Sequence, residues 1–319
     1  MASVWTMGEL LCEIMRPEAD MNLYDAGVFR GPYPSGAPGI FIDTVARLGH
    51  NAGIVGGVGK DDFGKCIIDR LKKNNVDCTH VTEYEDGATG VAFVTYFYDG
   101  SRKFLFHFPE TPATRPKAPN PSSLASDVKY FHIMGCSLMA THEFGQEILK
   151  LMNGLVERGA TVTFDPNVRL ELLKDEGAKK IIEEVMKHAS ILFPGESELL
   201  MVSGEKTTES AVETCFKNPK LEIIVLKRGA QGCSVYTRNE SFSLDSFKVK
   251  AVDSTGAGDC FDGAFLAGLL DGKSLKDASK FALAAGALNV MAFGPMEGDI
   301  SKQSIEKLIA SQNVEPVSI

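Results

Sequence analysis

Long apolar runs are missing from this chain. Nothing approaches the roughly 20 residues that a membrane-spanning helix requires, and residues 1–15 lack the basic start, apolar centre and cleavage site of a secretory leader. Surplus positive charge is missing too. Lys and Arg total 33 against 42 Asp and Glu, a net charge of −9, which argues against general binding to nucleic acid or to a membrane surface. Cysteine is present but unorganised. The seven residues, Cys12, Cys66, Cys78, Cys136, Cys215, Cys233 and Cys260, are scattered and include no C-x-x-C pair, so neither a disulfide framework nor structural zinc is indicated. Internal repeats and low-complexity tracts are absent as well. The expectation is a cytoplasmic protein with reduced thiols.

What is present is ordinary for a globular chain. Of 319 residues, 44% are hydrophobic and 24% charged, and the length suffices for a sizeable core. Residues 4–15 read as one opening strand with Glu13 near its far end. Residues 16–38 are broken by prolines and glycines and read as a loop or flap. A helix is expected from Ala37 to Leu48, stopped by Gly49, then a strand over 53–58 and a helix from Asp61–Asp62 to about Asn74. Residues 89–108, with Asp99-Gly100 between two apolar runs, predict a hairpin standing apart from the strand–helix alternation. From Lys129 the alternation is regular. Strands are expected at 130–134, 161–164, 191–193 and 222–226, with helices near 141–158, 176–189 and 197–217. That rhythm implies a mostly parallel sheet covered by helices on both faces. A further hairpin over 233–247 and helices near 258–271 and 275–292 complete the reading.

One stretch stands out chemically: Asp253-Ser254-Thr255-Gly256-Ala257-Gly258-Asp259, leading into a long apolar helical segment. Glycines let backbone approach a ligand closely, and a helix N-terminus offers unpaired N–H groups and partial positive charge. This pattern makes an anion site, or simply a capped helix start. Two other phosphate-loop readings fail. Ala267 stands where a Walker A loop ending at Gly272-Lys273-Ser274 needs glycine, and Phe261 stands where a dinucleotide fingerprint beginning at Gly256 needs glycine or alanine.

The stretch closely resembles the D-[ST]-[ST]-G-A-G-D signature of the PfkB/ribokinase family of sugar kinases. Other segments agree in the family's order: Ser35-Gly36-Ala37-Pro38 through Ala46-Arg47-Leu48-Gly49, Gly57 to Gly64, Asp165-Pro166-Asn167-Val168-Arg169, Pro194-Gly195-Glu196-Ser197-Glu198 and Lys227-Arg228-Gly229-Ala230-Gln231-Gly232. The resemblance spans nearly the whole chain. It implies a single ribokinase-like α/β domain over 1–319, with lid segments at about 12–35 and 88–110 forming a small β-sheet over the sugar. It implies a kinase using ATP and Mg²⁺, in some relatives with a monovalent cation such as K⁺, and a homodimer paired through the lid.

By the same resemblance, Asp259 is the base that takes the proton from a sugar hydroxyl, and the amides around Gly256, Ala257 and Gly258 receive the transferred phosphoryl. Asn167, Lys227, Gly229, Gly232, Gly256, Gly258 and Asn289 are expected around ATP. Glu198 is expected to organise Mg²⁺ through water, although Gly195 replaces an Asn of that motif. Asp253 and Thr255 match monovalent-cation positions. On the sugar side stand Glu13, Gly36, Ala37, Asp43, His107, Arg169 and Asp259. Here the chain departs from its family, because Ile40 replaces a sugar-binding Asn. Asp43, three residues later on the same helical face, either takes over or is a surface carboxylate; His107 either faces the sugar or fills the lid. The lid strand reads Phe104-Leu105-Phe106-His107-Phe108, without the arginine that kinases of 2-keto-3-deoxygluconate carry there. A neutral ketohexose such as fructose or tagatose therefore leads, and the keto-deoxy acid follows. A nucleoside kinase and a non-catalytic sugar-binding protein are the remaining alternatives.

Overall fold

The computed structural model describes residues 3–99, 101–168 and 176–319. Fourteen strands occur among them: β1 Ser3–Met7, β2 Leu11–Met15, β3 Arg30–Ser35, β4 Asn51–Gly59, β5 Asp77–Tyr84, β6 Gly90–Tyr96, β7 Arg102–His107, β8 Val128–Met134, β9 Thr161–Asp165, β10 Ala189–Leu192, β11 Ile223–Lys227, β12 Cys233–Tyr236, β13 Ser241–Leu244 and β14 Val317–Ser318. The helices are α1 Ala37–Arg47, α2 Asp62–Lys73, α3 Gly135–Ala140, α4 His142–Val156, α5 Glu176–His188, α6 Glu196–Ser203, α7 Thr208–Cys215, α8 Ala257–Leu270, α9 Leu275–Asn289 and α10 Lys302–Ser311.

Ten strands form the main sheet in the order β14-β13-β12-β11-β10-β9-β8-β1-β4-β5, parallel from β11 to β5. From β1 the chain moves outward to β4 and β5, then crosses to β8 on the other side of β1 and moves outward again. Right-handed crossovers taken in opposite directions put the intervening helices on opposite faces. The reversal between β1 and β8 is the place where such sheets bind ligands, beyond the carboxyl ends of the strands. Buried Val4, Ile54, Phe131, Phe164 and Val225 fill the sheet's interior. No helix among the described residues is long and apolar enough to cross a membrane.

The second sheet is small, in the order β3-β2-β6-β7. It corrects the single opening strand expected over 4–15. The chain breaks at Gly8, whose amide bonds to Val55, and residues 11–15 pair with β6 and β3 instead of with the main sheet. Gly8 is required there because a Cβ would meet Pro38 Cγ at 2.3 Å. The 16–38 segment is not all loop, since β3 lies within it. The expected helix over 197–217 is two helices, separated by left-handed Gly204 (φ 72°) and restarted by the Thr207 cap. Sequence reading also missed β5, α3, α10 and β14. Strand β5 is a half-exposed edge whose polar residues obscure the alternation. Gly100 of the expected Asp-Gly turn lies outside the described residues.

Asp61 joins the two sheets. Its carboxylate caps α2 by accepting from Gly64 N at 2.8 Å, and also accepts from Thr89 N at 2.8 Å and Thr89 Oγ1 at 2.6 Å, just before β6. Partial burial works to raise its pKa, but these hydrogen bonds outweigh it and hold the carboxyl below its ordinary value. Such a group stabilises above its unfolded pKa and loses that effect as pH falls through the folded one. Asp61→Ala is expected to cost about 1–2 kcal/mol at neutral pH. In urea unfolding the gap between wild type and variant should close below about pH 4.

Candidate active site

A cavity lies where the small sheet covers the carboxyl end of the main sheet, against the N-terminus of α8. The segments after β1 and β8 supply Glu9 and Cys136, α1 begins at its edge with Gly36 and Ala37, and Asp259 stands at its floor. The small sheet is a lid over it. Strand alternation turns Arg102, Phe104 and Phe106 inward and leaves Leu105 and His107 exposed. The cavity volume is about 50 Å³. The lid's inward side chains form the cavity's roof.

Glu13, on β2, is 6% exposed. One oxygen accepts from Ser35 Oγ at 2.7 Å, and the other has no protein partner. Burial, moderated by the Ser35 bond, pushes its pKa up to about 7. It is thus an unfilled hydrogen-bonding group facing the cavity. Glu9 is also buried, accepting from Ser137 Oγ and, at 3.2 Å, from Cys136 Sγ. Sequence reading missed Glu9 and Arg102. Period-two alternation with Phe104 and Phe106 would have found the arginine.

The turn before α8 is fixed from several sides. Gly256 adopts φ 75°, and a Cβ there would meet Pro295 O at 2.5 Å. Ile40 packs against the same glycine, its methyl carbons 3.2 Å from that Cβ position, so the residue replacing the family's Asn is an apolar wall of the cavity. Asp253 accepts from Thr255 N and Gly294 N, each at 2.9 Å, and from Tyr96 Oη at 2.7 Å. The Thr255 carbonyl accepts from Asn289 Nδ2 at 2.9 Å. Gly256, Ala257, Gly258 and Asp259 then open α8, where the first N–H groups have no acceptor within the helix.

Behind Asp259 lies a second polar cluster. Asn167, at φ 37°, donates from Nδ2 to Asp259 Oδ1 at 3.0 Å. Lys227 donates to Asp165 at 2.7 Å and to Asp262 at 3.1 Å. Burial alone would lower the Lys227 pKa, but its carboxylate neighbours raise it well above the ordinary value. Burial raises Asp262 strongly, while the Lys227 charge holds Asp165 low against its own burial. The three groups therefore share one buried positive charge beneath Gly258. Glu198 accepts from Val168 N at 2.8 Å and Gly195 N at 2.7 Å, so even without the Asn side chain the glutamate is held by Gly195's backbone.

Two residues expected on the sugar side, Asp43 and His107, sit away from the cavity. Asp43 is buried away from the cavity, accepting from Asn74 Nδ2 at 2.7 Å with Arg47 beside it. His107 is on the lid's outer face, its ring edge-on to Phe93. Asn167, Lys227 and Asn289, expected around ATP, bond to Asp259, to the carboxylate pair and to the Thr255 carbonyl respectively. Gly229 and Gly232 form the positive-φ turn joining β11 to β12. Arg169 lies outside the described residues.

The residues fit Mg²⁺ held through water. Among the described residues no three His, Cys, Asp or Glu cluster as direct metal ligands, and both Glu198 oxygens already accept from backbone. Mg²⁺ characteristically keeps several waters and binds substrate phosphates. A monovalent cation at Asp253 and Thr255 fits poorly, because the acceptors it would need already receive O–H and N–H donors.

Comparison with known proteins agrees with this geometry. The chain is 33% identical to "Fructokinase-1" of Oryza sativa subsp. japonica, over 97% of this chain and 98% of that protein, and 33% identical to "Probable fructokinase-2" of Arabidopsis thaliana, over 89% of each. Its fold matches a "putative Ribokinase II" from E. coli, solved with ATP and Mg²⁺, with TM-score 0.92 and 38% identity over 98% of this chain and 100% of that one. A family model described as pfkB family carbohydrate kinase matches residues 33–302. With Asp259 at the mouth of a glycine turn and a lid over the cavity before it, this chain belongs to the pfkB family of carbohydrate kinases and is an ATP-dependent sugar kinase.

Proposed function

We propose that the acceptor is a neutral ketohexose of the fructose or tagatose type. The observation that carries this reading is the cavity's character: the unfilled Glu13 oxygen and Asp259 face a wall made by Phe104, Phe106 and Ile40. Carboxylates accept hydrogen bonds from hydroxyls, and apolar rings pack on the C–H faces of a sugar. The fructokinases among the relatives support the same choice. A 2-keto-3-deoxy sugar acid is the second reading, favoured by Arg102, the single basic side chain among the described residues lining the cavity.

In this reading Asp259 accepts the proton of the attacking hydroxyl. Asn167 aims the carboxylate by donating to one of its oxygens. The amides at the start of α8 stabilise charge on the phosphoryl group in flight, where one lost donor costs roughly 3–4 kcal/mol of barrier. Magnesium, bound with ATP, supplies neutralisation of phosphate charge. The lowered lid excludes water from the reacting groups. Exposed apolar side chains on the lid segments, Tyr24, Val28, Tyr98 and Leu105, support a homodimer formed through this sheet.

An ADP-release screen across ketohexoses, aldoses, sugar acids and nucleosides is expected to give the highest kcat/KM with fructose or tagatose; preference for sugar acids would overturn the ranking. Asp259→Asn should lower kcat by about 10²–10⁴, and undiminished turnover would remove Asp259 as base. Glu13 binds its proton up to about pH 7 when folded but only to about 4.5 when unfolded. Its burial therefore makes stability fall as pH rises through that window. Glu13→Gln should remove this slope, gaining up to about 3 kcal/mol on wild type between pH 4.5 and 7 in urea unfolding. Sedimentation should show a dimer that Leu105→Lys dissociates; a wild-type monomer counts against lid pairing.

A further inference from the structure

Tyr96 ends β6, the lid strand between β2 and β7. It lies on the inward face, since its backbone pairs with Arg102 as Val94 pairs with Phe104 and Ala92 with Phe106. Its hydroxyl reaches across to the turn before α8. There it donates to Asp253 Oδ1 at 2.7 Å and lies 2.7 Å from Thr255 Oγ1. The Thr255 hydroxyl can donate to Tyr96 while Tyr96 donates to the carboxylate, giving a continuous chain of hydrogen bonds. No residue of the reacting turn itself touches Tyr96 in these two bonds; both partners lie within the four residues before Ala257.

We infer that Tyr96 is a positioning residue for phosphoryl transfer, a latch that sets the Gly256–Asp259 turn when the lid is down and fills with a hydroxyl the place a monovalent cation would take. Three observations bear on this. The Asp253 carboxylate already accepts from Tyr96, Thr255 N and Gly294 N, and the Thr255 carbonyl accepts from Asn289, so the donors of the protein replace the attraction a cation would supply. Tyr96 belongs to the lid sheet and Asp253 to the turn before α8, so any rise of β6 withdraws the hydroxyl from the carboxylate. The latch also stays a donor across the physiological range, because burial and the nearby Asp253 charge both push the phenol's pKa up. Closing the lid over a sugar therefore also completes the turn that receives the phosphoryl group.

The inference rests on the chain being a sugar kinase and not on which sugar it uses. Its test is Tyr96→Phe, which keeps the ring and removes the hydroxyl. Kinetics with the best sugar from the screen should show kcat reduced at least about tenfold, the scale of losing a hydrogen bond to a charged group, with sugar KM within roughly threefold of wild type. Replacing Na⁺ by K⁺ at constant ionic strength should leave wild type unchanged and restore part of the variant's rate. Hydrogen exchange on the free protein, which needs no sugar, should be faster in Tyr96→Phe over 253–260 and unchanged over β8 and β9. A wild type that requires K⁺, a variant with full kcat, or protection lost equally across the main sheet would each overturn the inference, the last by making Tyr96 a support of the fold at large.

Discussion

Everything the active site does depends on one carboxylate that does no chemistry. Asp253 gathers a lid hydroxyl, the amide of its own turn and the amide of Gly294 from the far loop. Three segments distant in sequence are thereby held at one point, and α8 begins four residues later. An N-terminus is useful to a phosphoryl group only if its amides are already aimed, since reorienting dipoles during reaction forfeits much of the stabilisation. Asp253, Asn289 and Pro295 remove that freedom before any ligand arrives.

Beneath the turn, a different device supports Asp259. Lys227, Asp165 and Asp262 are buried together, with Asn167 bridging from Asp165 to Asp259. Buried ion pairs contribute little net stability, because desolvation offsets their attraction, but losing one partner leaves a charge stranded. Their geometry here aims a neighbour: Asn167's amide is tied to Asp165 on one side and to the Asp259 carboxylate on the other. Sequence order separates these groups by up to 97 residues (165 to 262), yet the topology brings the carboxyl ends of β9 and β11, on either side of β10, against the beginning of α8.

That separation also explains what could be read from the chain. The Asp253–Asp259 stretch was legible because its chemistry is local: glycines, an aspartate and a helix start follow one another. Parallel strands β8 to β11 were legible because each is a short apolar run between amphipathic helices. Glu13 was legible by its place in the family pattern. Tyr96 was not, since its partner is 157 residues away and nothing in Phe93-Val94-Thr95-Tyr96 hints at it. Asp43 misled for the same reason in reverse. Its helical spacing from Ile40 is right, but Asn74 and Arg47 claim it from the side the sequence does not display. His107 was a question of strand phase, settled by which way Phe106 turns.

The break at Gly8 carries a consequence for how this enzyme can change. Strand β1 belongs to the main sheet, and β2, three residues on, belongs to the small sheet that covers the cavity. A tether that short fixes where the two sheets meet but leaves the inward positions of β7 free of any catalytic duty. Exchanging the rings at 104 and 106 for polar side chains would redraw the acceptor without disturbing the phosphoryl-transfer turn. Substrate range can drift on one sheet while chemistry stands still on the other, with Tyr96 as the point at which the drift must stop.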